Sequence, residues 1–152
     1  MASTAERIGR GTEAALAAIT AQDAAAFTAA TADLAALPGE QVGLVLGGAL
    51  RDLLEVAHPD GLDADDIQAA LARTVRAAVA WLPELDPTGL VAALTGALGV
   101  TEPDEVPPAP AVTQPGALLL IADLAAVAQV PPAAAIRGAF AEIERAETVE
   151  MP

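Results

Sequence analysis

Apolar residues recur at helical spacing along most of the chain, and the broadest such stretch is Glu40 to His58. Val42, Val45, Leu46, Ala49, Leu50, Leu53 and Val56 form one wide stripe there, which predicts an amphipathic helix. Gly43 and Gly47 stand four apart on one side of it, where a neighbouring helix can approach closely. A glycine inside a helix costs roughly 0.5–1 kcal/mol against alanine. Three of them (Gly43, Gly47, Gly48) therefore point to close packing. Arg51, Asp52 and Glu55 gather on the polar face, and the helix is expected at the centre of an all-α bundle.

The same periodicity places other helices around it. Ser3 and Glu6 have capping-box spacing ahead of Ile8, Ala15, Leu16 and Ile19. Asp23 is a predicted N-cap for a helix burying Phe27, Ala30, Leu34 and Leu37, which Pro38-Gly39 ends. Asp63 and Asp86 each follow a leucine and precede an apolar-periodic run, with Pro87 at a first helical position. The run after Asp63 is expected to bury Ile67, Leu71, Val75, Ala78, Val79 and Leu82 and to expose Arg73 and Arg76. The run after Asp86 turns Leu90, Val91, Leu94 and Leu98 inward, with Gly99 as its C-cap.

Prolines 103, 107, 108, 110 and 115 then predict an extended linker over 101–116. Beyond it, Leu118–Leu124 and Ile136–Ile143 predict a C-terminal helical hairpin over 117–148. A hairpin that short must pack on the five helices within 1–100. The expectation is one all-α domain over 1–152, of about seven helices.

Composition reinforces this and narrows the function. Alanine supplies much of the 54% hydrophobic content, and Phe27, Trp81 and Phe140 are the only aromatic residues. The formal charge of −14 and pI near 4.1 argue against nucleic-acid partners and anionic membrane surfaces. All seven basic residues are arginine, as the coding bias of a GC-rich genome would give. The chain has no cysteine, hence no thiolate chemistry and no disulfide, which fits a cytoplasmic protein. Arg7 and Arg10 precede only a short apolar run, so no signal peptide is read there, and Asp123 and Pro131-Pro132 interrupt the most apolar stretch.

The catalytic inventory is poor. One serine (Ser3), one histidine (His58) and no lysine, tyrosine or asparagine leave little for nucleophilic or Schiff-base chemistry. Gly43–Gly48 lacks the order of a phosphate-binding loop, and Asp60–Asp66 departs from the EF-hand pattern. An acyl-carrier reading needs a serine at a helix start to hold the phosphopantetheine arm; Ser3 is the only serine, and that reading fails. Glu55-x-x-His58 with Asp52 one turn earlier is the one metal-like constellation, since Glu and His three apart share a helix side. A di-metal centre needs a second copy of that motif, which the chain lacks. The simpler reading gives His58 the helix C-terminal dipole and Glu55 to solvent, with Arg51 and Glu55 as a surface ion pair.

No cofactor is implied. The leading expectation is a non-enzymatic acidic interaction or structural module that binds a protein partner or a second copy through Gly43 and Gly47. The alternative is a metal-dependent enzyme or metal-binding helical protein using Asp52, Glu55 and His58. A third, weaker expectation has the acidic surface occupying a basic one, with salt-sensitive binding.

Overall fold

Every side chain read as an N-cap caps a helix in the computed structural model, which describes residues 1–150. Ser3 and Glu6 close a reciprocal capping box at the start of α1 (Thr4–Ala21), the Ser3 hydroxyl accepting from the Glu6 N–H at 3.1 Å. Asp23 caps α2 (Ala24–Ala35) by accepting from Ala26 N–H at 3.0 Å. Pro38 then turns the chain into α3 (Gly39–Ala57). Asp63 and Asp66 form a second capping box at α4 (Ala64–Val79), with bonds of 2.9 and 3.0 Å. The Asp63 N–H holds the Asp66 carboxyl below its ordinary range. Asp86 caps α5 (Pro87–Leu98) through Thr88 N–H, and Gly99 ends it with φ 71°, a left-handed conformation suited to glycine. Two further helices, α6 (Pro110–Ala128) and α7 (Pro132–Glu150), complete an all-helical fold with no strand among the described residues.

Three tertiary features correct the sequence reading. First, the bundle is centred on α6, not on Glu40–His58. Helix α6 touches every other helix, whereas α3 lies between α5, α6 and α7. Leu118, Leu119, Leu120, Ile121, Leu124 and Ala125 are all buried. A helix apolar all round presents no stripe, and the physical meaning of that pattern is burial on every side. By length and composition α6 could also cross a membrane, but half of its most apolar window is buried inside the bundle.

Second, the extended linker stops at Ala109 rather than at 116. Pro110 occupies the first helical position, where its missing N–H costs nothing. Pro115 lies inside the helix and removes one backbone bond, yet Gln114, Gly116 and Ala117 around it are buried. Packing on α5 overrides the local penalty. At the crossing, a Cβ on Gly116 would stand 2.6 Å from the Gly89 carbonyl carbon and oxygen, and one on Gly89 would strike the Val112 carbonyl oxygen.

Third, α4 is rotated from the expected face. Ala70, Thr74 and Ala78 are buried, Ile67, Leu71 and Val75 are half-buried, and Val79 is exposed. The rotation turns Arg73 onto Asp123 of α6, with Nη2 donating to Oδ2 at 3.0 Å and Nε to both carboxylate oxygens at 3.3 Å. Asp123 thus sits in an otherwise apolar helix because an arginine reaches it. A double-mutant cycle of Arg73→Gln and Asp123→Asn in chemical denaturation should give a coupling of about 1 kcal/mol that shrinks in high salt. A coupling near zero would remove the pair's role in holding α4 against α6.

Candidate functional site

The polar end of α3 brings Arg51, Asp52, Glu55 and His58 within two turns, and each has a local structural role or a separate orientation. His58 is the C-cap, with φ −132°, and its Nδ1 donates to the Leu54 carbonyl at 2.9 Å. That bond satisfies a carbonyl at the helix end and leaves Nε2 as the outward nitrogen. Arg51 makes no ion pair with Glu55. Its Nε instead donates to the Ala97 carbonyl at 3.2 Å, at the C-terminal end of α5, where carbonyls lack intrahelical partners. The expected i, i+4 pair loses to a carbonyl offered by another helix.

Asp52 points elsewhere. Six residues at 3.6 per turn put it roughly 120° around the helix from His58. Burial raises the Asp52 pKa above its ordinary value, followed by the Glu142 carboxylate of α7 and by Glu55, while Arg51 opposes them. Among the described residues, no three His, Asp or Glu side chains gather as a metal-ligand set. Glu55 and His58 line a hollow of about 400 Å³ with Arg51, Leu62, Gly96 and Gly99, without Asp52.

The Asp52 environment has a pH consequence. A carboxyl whose folded pKa is raised binds its proton more readily in the folded than in the unfolded state. Its contribution is therefore unfavourable at neutral pH and fades as pH falls from the raised folded pKa to the unfolded value. Asp52→Asn should raise stability at pH 7 by under about 1 kcal/mol, read as a slightly higher thermal midpoint, and the gain should vanish near pH 3. Equal midpoints for the two proteins at pH 7 would show that burial and the Glu142 carboxylate do not disfavour the charged Asp52.

The second candidate feature is the glycine face of α3. Gly43 is exposed and Gly47 half-exposed, and a Cβ built on either would meet no neighbour within 4 Å. Of the three, Gly48 alone faces another helix, at 3.5 Å from the Ala139 Cβ of α7. The close approach that these glycines permit is thus not used at Gly43 and Gly47 inside the chain. They open instead into a cleft of about 280 Å³ between α3 and α5, with Arg51, Ala92, Gly96 and Gln114 also along it.

Gln114 projects from α6 at the base of this cleft and is only 5% exposed. Its Oε1 is the one buried side-chain polar atom among the described residues with no hydrogen-bond partner. Leu44, which follows Gly43 in α3 and does not itself line the cleft, is 57% exposed. The sequence reading singles out neither residue. Leu44 carries a signal there, as an apolar residue off the main stripe and next to a glycine. Gln114 carries none, because it lies in the proline-rich stretch that has no periodicity.

Comparison of the chain with known protein families, with curated proteins and with solved structures returns no match.

Proposed function

We propose that this chain is a non-enzymatic interaction module that receives a helix of a protein partner on the face between α3 and α5. The observation that carries this reading is the pair Gly43 and Gly47, which are costly in a helix and at which an added Cβ would meet nothing within 4 Å. Leu44 adds exposed apolar surface beside them. Small residues on a helix let a partner backbone come close, and the cleft supplies the concavity. The scarcity of nucleophiles and bases, and the separate roles of Arg51, Asp52 and His58, favour binding over catalysis.

The charge of −14 disfavours nucleic acid and anionic lipid as the partner, and the absence of cysteine is compatible with the cytoplasm as the place of action. A photo-crosslinking residue placed at Leu44 in the host should trap a discrete protein adduct. Gly47→Glu should abolish that adduct, and the same probe at Thr148 of α7 should not form it. If position 44 traps no more than position 148, the docking face is not used.

A further inference from the structure

The geometry points to a second copy of this chain as the occupant of the α3–α5 cleft, an inference that rests on the docking face proposed above. The face is self-complementary. It carries a projecting side chain, Leu44, beside a hollow walled by Gly43, Gly47, Ala92 and Gly96. In a two-fold pairing the same patch meets itself, so Leu44 of each copy enters the hollow of the other.

The hydrogen-bonding groups follow the same logic. Gln114 is nine-tenths buried, lines the cleft, and has an unpartnered Oε1. Arg51 lines the cleft too; its Nε is held by Ala97, and no carboxylate among the described residues is within ion-pair reach of its guanidinium. Rotation of the Gln114 amide presents Oε1 to the cleft, where Arg51 of the second copy brings free N–H donors. Neither group is satisfied in this way within one chain.

Charge also selects this face. Two copies at −14 repel each other, and the cost of meeting is lower where the facing surfaces carry little charge. Helix α5 contains no charged residue from Pro87 to Leu98, and Arg51 is the only charged residue along the cleft. Association between like-charged copies tightens as salt screens them, whereas binding of a basic partner would weaken.

Sedimentation equilibrium on the full chain tests this. A reversible dimer is expected, tightening several-fold when salt rises from about 0.05 to about 0.5 M. Leu44→Glu and Gly47→Leu should each weaken it at least tenfold while circular dichroism melts show that the fold is kept. Arg51→Gln and Gln114→Leu should each weaken it, and the double variant should be no worse than the poorer single one, because the two groups act as a pair. A chain monomeric at millimolar concentration in high salt, or a dimer indifferent to both Leu44→Glu and Gly47→Leu, overturns the inference. A monomeric chain that still traps a different protein at position 44 would overturn it while leaving the docking face intact.

Discussion

Gly116→Ala should lower stability by about 3 kcal/mol, although alanine is the better helix former by about 1 kcal/mol. The added methyl would stand 2.6–2.7 Å from Gly89 carbonyl atoms and the Leu90 nitrogen, so the obstruction is backbone and no side-chain rotation relieves it. Helices α5 and α6 would have to separate at their crossing, which is the most extensive helix contact in the fold. For a chain of this size that loss corresponds to a fall in thermal midpoint of roughly 6–12 °C. Gly89→Ala meets the Val112 carbonyl oxygen and should behave in the same way. Gly43→Ala is the control, since its methyl meets nothing within 4 Å and should gain about 0.5–1 kcal/mol from propensity. Opposite signs for one chemical change would establish where the helices touch. A Gly116→Ala protein as stable as the parent would exclude this crossing.

Leu120→Ala should be as damaging, at about 3–4 kcal/mol by equilibrium denaturation. Leu120 is fully buried on the helix that touches every other, so the cavity it leaves is walled from several sides and cannot collapse by moving one element. Val127→Ala, at an exposed position of the same helix, should cost well under 1 kcal/mol. The comparison separates burial from helix propensity, because both changes put alanine into α6. Similar losses at the two positions would mean that α6 is not the centre of the core.

Several parts of the fold were legible because they depend on neighbours in sequence. Ser3, Asp23, Asp63 and Asp86 each cap by bonding an N–H two or three residues on, so the four helix starts can be read from short windows. Gly99 was legible for the same reason, as a left-handed residue ending an apolar run. The C-terminal ends at Gln22 and Gln129 adopt positive φ without glycine and left no such mark. The polar face of α3 was misread at Arg51, whose i+4 carboxylate was visible in sequence and whose actual acceptor, Ala97, was not.

What the sequence by itself determined is therefore the class of the fold and the places where helices begin: alanine-rich periodic segments bounded by caps. The tertiary structure alone decided which helix is central, that residues 110–116 are helical despite two prolines, and which glycines are packed. These outcomes rest on pairs far apart in the chain, such as Gly89 with Gly116 and Arg73 with Asp123. They also rest on α6, whose apolar residues lie on every side and name no preferred face. Periodicity tells a helix which side to bury, but the partner that receives that side is fixed by three-dimensional fit. At Gly43 and Gly47 the chain supplies no such partner within 4 Å of an added Cβ.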